Sequence, residues 1–376
     1  MPKLRTLSGV PRALGYTFPA EWEPQTATWF SWPRPEGISF PGKYHTIPEN
    51  LARVFKEIQS RQTVRVNVPN ENWEYIVRGQ LKEHGCPLKN VEFFHIKTNE
   101  SWCRDHGPAF VVNRKKKKLA VVDWGFNAWG GKYPPFDDDD AVPTRIAEKF
   151  KLPVFYPRSA DASPVSPSTM SEHARGARAT VIMEGGSIEV NGAGTLLTTT
   201  DCLLNKNRNP DLSKEQIEQY LKDYYGQSNI LWLTGGIDGD DTDGHVDDLA
   251  RFISPTKIVI ATQPDSKDKD FRVLKSAKKQ VEKLRDQDGR PFEFVEIPMP
   301  TPVIHDGQRL PATYVNFLFI NGALLVPTFR DKVNDKKAIE VLQSHLPRHK
   351  VIGIDCTELI WGLGTIHCLS QQQPTV

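Results

Sequence analysis

Four stretches of the chain repeat one shape: a β-rich run, a short polar or glycine turn, and a second β-rich run. They cover residues 109–123 turning at Asn113 and Lys115, 187–200 turning at Asn191-Gly192, 250–262 turning at Ser254-Pro255, and 317–329 turning at Asn321-Gly322. Their first strands end near Val112, Val190, Ile253 and Ile320, at intervals of 78, 63 and 67 residues. A recurrence of this length in 376 residues leaves room for about five units.

A helix-like segment and another strand follow each of the last three hairpins: 212–225 then 230–233, 271–284 then 292–297, and 338–346 then 351–354. Nearer the start, Leu51, Val54, Phe55 and Ile58 line one face of a helix predicted over 47–58, and 73–81 continues in the same way. One hairpin, helix and strand cannot bury an apolar face alone. Packing about a shared axis, as a closed α/β propeller-like ring, is one solution, and an open α/β sheet in two domains is the other. The single-sign runs 115–118 and 137–140 read as solvated loops.

Hydrophobic residues at 38% supply a real core, which excludes wholesale disorder. Lys and Arg (48) nearly balance Asp and Glu (46), so nucleic acid is not expected as a partner. Five cysteines form an odd set without a CxxC pair, the pattern of reduced thiols. No leader-like apolar segment opens the chain and no run approaches eighteen apolar residues, so neither export nor a membrane is expected and a cytoplasmic location is.

The densest polar run, 238–248, contains His245 and Asp247. A calcium loop with Gly244 at its sixth position would set Ala250 where a carboxylate is needed, so that reading fails. A non-haem iron site would take His245 and Asp247 as two ligands, with His305 or His345 as the third. The segment 364–368 ends in the thiol of Cys368, Trp102 and Asp105 form an aromatic and acid pair suited to a cation, and Glu184 precedes two glycines. Asp105 and Glu184 stand before the first and second hairpins, His245 stands before the third, and Cys368 follows the last helix and strand. A ring would bring them together. Carboxylates, a His and a Cys suit nucleophilic attack on a planar cationic carbon such as a guanidinium. A catalytically silent ring that binds arginine-like groups is the competing reading.

Over nearly its whole length the sequence resembles the agmatine deiminase family, which is related to bacterial peptidylarginine deiminases within the guanidino-group modifying, or pentein, superfamily. The resemblance runs through 29–33, 40–43, 101–108, 184–186, 240–247 and 366–368. It implies a five-bladed α/β propeller of ββαβ units as a single catalytic domain over 1–376. It implies Cys368 as nucleophile, His245 as general acid and base, Asp105 and Asp247 as the guanidinium clamp, and Glu184 as the acid that orients the His. It further implies a small guanidino substrate: agmatine, with arginine or peptidyl-arginine as alternatives. Trp102 would line the site and Asp241 would meet the distal amine. No metal or organic cofactor is required, and self-association follows by analogy. His106, Leu363 and Thr365 depart from the family's usual residues beside Asp105 and Cys368.

Overall fold

The computed structural model describes residues 5–158 and 181–376. Its core is divided among five small mixed sheets: four are an antiparallel strand pair with one parallel strand added after a helix, and the first adds two such parallel strands to its pair. The first holds β1 (Gln25–Ser31), β2 (Thr63–Val68) and β3 (Val91–His95), all parallel neighbours. The second holds β4 (Ala109–Asn113), β5 (Lys118–Val122) and β6 (Val154–Phe155); the third β7 (Ile188–Val190), β8 (Thr195–Thr199) and β9 (Asn229–Leu233). The fourth holds β10 (Ala250–Ser254), β11 (Lys257–Thr262) and β12 (Glu293–Pro298). After a two-stranded hairpin of β13 (Ile304–His305) and β14 (Gln308–Arg309), the fifth holds β15 (Leu318–Ile320), β16 (Ala323–Thr328) and β17 (Lys350–Asp355).

The first sheet lacks a hairpin partner of its own, and the other end of the chain supplies it. β18 (Ser370–Pro374) pairs antiparallel with β1, matching Trp29 to Gln371 and Phe30 to Ser370. Residues 370–374, which the sequence reading assigned to no hairpin, supply the antiparallel edge strand of the first sheet. Both alternate faces of this strand are buried, and its glutamines bond inward: Gln373 Oε1 accepts from Trp29 Nε1 at 2.9 Å and Arg65 Nη1 at 2.6 Å. Buried polar side chains with no apolar alternation explain why the segment did not read as a strand.

Local signals start and stop the intervening helices. Ile47–Gln59 opens on Pro48 and buries Leu51, Val54, Phe55 and Ile58, as the spacing predicts. Lys214–Tyr225 starts at a reciprocal cap between Ser213 and Gln216 and stops at Gly226, whose φ of 70° a residue with a Cβ seldom adopts. The acidic run corrects one expectation. Asp137–Asp140 is a short helix in which Asp138 and Asp139 are buried. Asp139 Oδ1 accepts the Asn99 N–H at 2.7 Å, Asp140 Oδ1 accepts that of Phe126 at 2.8 Å, and Asp138 pairs with Lys97 and Arg145. Backbone donors and cations supplied by distant segments outweigh the cost of burial. Among the described residues no helix is long and apolar enough to cross a membrane.

Candidate active site

Every sheet opens just after a polar residue, and these openings meet. Asp105 lies four residues ahead of β4, Glu184 four ahead of β7, His245 and Asp247 five and three ahead of β10, and Cys368 two ahead of β18. The remaining sheet contributes Asn316, two residues ahead of β15, which the sequence reading missed.

His245 is the hub. Its Nε2 lies 3.4 Å from Glu184 Oε2, and its Nδ1 lies 3.8 Å from Asp105 Oδ1 and 4.0 Å from Asp247 Oδ1. Glu184 is fully buried and is fixed from behind by Arg208 Nε, which donates to Oε1 at 2.8 Å. Asp105 Oδ1 accepts the Gly186 N–H at 3.0 Å, and Oδ2 accepts Trp129 Nε1 at 2.9 Å. Gly186 is there for space: a Cβ would stand 2.6 Å from His245 Nδ1 and 3.0 Å from Asp105 Oδ1. Asp247 Oδ2 accepts His367 Nδ1 at 2.6 Å, while its fully buried Oδ1 has no hydrogen-bond partner among the described residues. Cys368 Sγ lies 3.1 Å from Asn316 Nδ2 and 3.8 Å from Asp247 Oδ2.

A cavity of about 250 Å³ reaches this cluster and is lined by Trp102, Asp105, Trp129, Tyr133, Asp241 and Cys368, among others. Trp102 is held by donating to Ser39 Oγ at 2.8 Å. Asp241 accepts from the Tyr133 hydroxyl and lies 3.5 Å from Lys132 Nζ, so its carboxylate is already shared. No Lys or Arg is among the described residues lining the cavity.

The charges pull in opposite directions. Burial pushes the Cys368 thiol well above its ordinary value, and Asp247, Asp248 and Asp105 push it further. Burial pushes Asp105 up, although His245 opposes it, and Asp247 and Glu184 add to the rise. Asp247 and Glu184 go the other way: burial is outweighed by His367 for the first, and by His245 and Arg208 for the second. For His245 burial alone would favour the neutral ring, but Asp105, Cys202 and Glu184 hold the imidazolium well above the usual range. The protein alone therefore pairs a protonated thiol with a protonated imidazole inside a cage of acids. Such a cage suits a cation.

The iron triad is not assembled. His305 stacks on Trp361 with ring centroids 4.9 Å apart, and His345 lies 3.7 Å from Glu293. Among the described residues, the ligand-type atoms gathered with those of His245 come from Glu184 and Cys202 instead.

The family profile described as Porphyromonas-type peptidyl-arginine deiminase matches residues 17–374. The chain belongs to this family. It is 37% identical to an agmatine deiminase of Pseudomonas syringae pv. tomato, over 99% of both chains. It is 36% identical to one of Medicago truncatula, over 98% of this chain and 99% of the relative. Among solved structures it is similar to an agmatine deiminase of Enterococcus faecalis, with a TM-score of 0.85 and 32% identity over 99% of both chains. A C. jejuni agmatine deiminase solved with substrate bound gives 0.80 and 34% identity, over 95% of this chain and 96% of that one.

Proposed function

We propose that this chain hydrolyses agmatine to N-carbamoylputrescine and ammonia through a covalent thiouronium on Cys368. One observation carries the reading: a thiol, an imidazole and two carboxylates from three separate sheets converge within about 4 Å contacts at the end of a cavity. The unpartnered Asp247 Oδ1 supports it, because a buried acceptor left unpaired costs about 1–3 kcal/mol that a guanidinium N–H would recover. The full-length likeness to agmatine deiminases gives the substrate class.

Asp105 and Asp247 would clamp the guanidinium plane by charge-assisted hydrogen bonds and hold its carbon against the sulfur. The bound cation opposes the field that keeps the thiol protonated, so the thiol ionises as the substrate arrives and its proton leaves the site. Sulfur then bonds to carbon, and the imidazolium of His245 protonates a departing nitrogen, which leaves as ammonia. The neutral ring takes a proton from water, and the resulting hydroxide adds to the thiouronium carbon. Collapse breaks the C–S bond, the hydroxyl proton of the adduct passing to the departing thiolate to leave the neutral ureido product and the thiol. Glu184, held by Arg208, orients the ring throughout.

Trp102 would wall the site and Asp241 would receive the distal ammonium. Asp105 and Asp241 line the cavity, and among the described residues no Arg lines it to fork onto the α-carboxylate of free arginine, which favours agmatine over that alternative. The reading takes 1–376 as one catalytic domain, the five sheets as blades of a propeller, and the chain as cytoplasmic and self-associating. The five cysteines, all unpaired, support the compartment. Ammonia release from agmatine, arginine, methylated arginine and an arginyl peptide tests the substrate: agmatine should lead the panel by at least about tenfold in kcat/KM, and preference for the peptide would overturn it.

A further inference from the structure

Asn316 occupies the place in its unit that reactive residues hold in the other four. It is buried, and its Nδ2 lies 2.9 Å from Asp248 Oδ1, 3.1 Å from Cys368 Sγ and 3.3 Å from Asp247 Oδ2. We propose that Asn316 is a catalytic residue that donates a hydrogen bond to the Cys368 thiolate, and that Thr365 is the positioning residue that keeps its amide turned toward the sulfur. The inference rests on Cys368 being the nucleophile.

The amide's orientation follows from its surroundings. Turned over, the Oδ1 of Asn316 would face the Asp247 carboxylate, which His367 holds ionised and which can only accept, and the sulfur would lose its N–H donor. As placed, Oδ1 instead accepts the hydroxyl of Thr365 at 2.6 Å, and that hydroxyl is buried too. Thr365 and the nucleophile share one turn, closed by the Leu369 N–H donating to the Thr365 carbonyl at 3.1 Å. The anchor and the sulfur are therefore carried on one turn, and the anchor's hydroxyl ties the donor to it.

Two N–H bonds serve three acceptors, so the sulfur's share depends on its own charge. A thiol accepts weakly and can itself donate toward Asp247 Oδ2, 3.8 Å away. A thiolate competes with the carboxylates for the amide, because hydrogen bonds to an ionised acceptor are about twice as strong as neutral ones. Burial and the neighbouring acids disfavour the anion, and Asn316 acts against them. The same donor is available again when the thiolate is expelled in the second half of the reaction.

The test is the ionisation of Cys368 itself, followed as the rate of iodoacetamide alkylation against pH and assigned by peptide mass spectrometry. Asn316→Ala should move the midpoint up by about one pH unit, which is about tenfold less thiolate at a fixed lower pH. Thr365→Val should move it the same way by less, and Thr365→Ser, which keeps the hydroxyl, should restore the wild-type curve. Should Asn316→Ala not fold, the Thr365→Val and Thr365→Ser pair decides. Curves for the folded variants that superimpose on wild type would overturn the inference. No turnover enters this readout, so a wild-type protein releasing no ammonia from any guanidine counts against the proposed function, and unmoved curves beside normal turnover count against Asn316 alone.

Discussion

At the scale of single residues, the proposed clamp pairs two acids in unlike surroundings. Asp105 is pushed up by burial, whereas His367 outweighs burial at Asp247 and holds it down. His367 has an acceptor on each ring nitrogen, Asp247 at 2.6 Å and Glu21 at 2.8 Å, and Glu21 is in turn 2.9 Å from Arg251. His367→Asn removes the imidazole that contributes most against burial and so raises Asp247 from its present position, with His245 and Arg251 still opposing, and the carboxylate would take up its proton at a higher pH. The acid limb of kcat/KM should therefore move upward, with activity near pH 5 falling more than activity near pH 8; a uniform loss across pH would contradict this. As candidates, Asp105, Glu184 and His245 stood out by titratable chemistry just ahead of hairpins and Cys368 by its thiol after the last strand, while the roles given to them and to Asp247 came from the family resemblance. Asn316 was not legible, since a lone amide between apolar neighbours carries no such signal. Glu21 was not either: its partner His367 lies 346 residues away, and no local pattern spans that distance.

At the scale of elements, the hairpin, helix and strand order was readable because apolar periodicity and turn chemistry are local. Strand ends moved by a residue or two, and the helix expected at 338–346 begins at Lys332, where Asp331 caps it by accepting from Asn334 N–H at 3.0 Å. What local pattern could not give was the pairing of β18 with β1, or the buried acids of 137–140, because both are decided by partners far away in sequence. The glutamines of β18 carry a measurable share of that closure. Gln373→Ala removes the acceptor for Trp29 Nε1 and for the largely buried Arg65, which should cost about 2–3 kcal/mol in urea unfolding. The change should leave the active-site chemistry of the folded enzyme intact; an unchanged midpoint would mean that these bonds contribute nothing to holding the two ends together.

At the scale of the whole molecule, joining the last strand to the first sheet gives all five sheets an antiparallel pair, the first carrying one parallel strand more than the others, and sets five polar entries near one another. A near-neutral chain thereby concentrates acids in one place: the overall charge of +2 says nothing of the cage around His245. In the proposed mechanism substrate recognition and nucleophile activation become one event there, because the cation that the acids would attract would also relieve the field keeping Cys368 protonated. The direct measurement is ammonia release from agmatine by Cys368→Ser, in a preparation whose circular dichroism and melting temperature match wild type. Loss of at least about 10⁴-fold in kcat is predicted, in line with removal of a covalent nucleophile; turnover within tenfold of wild type would contradict it.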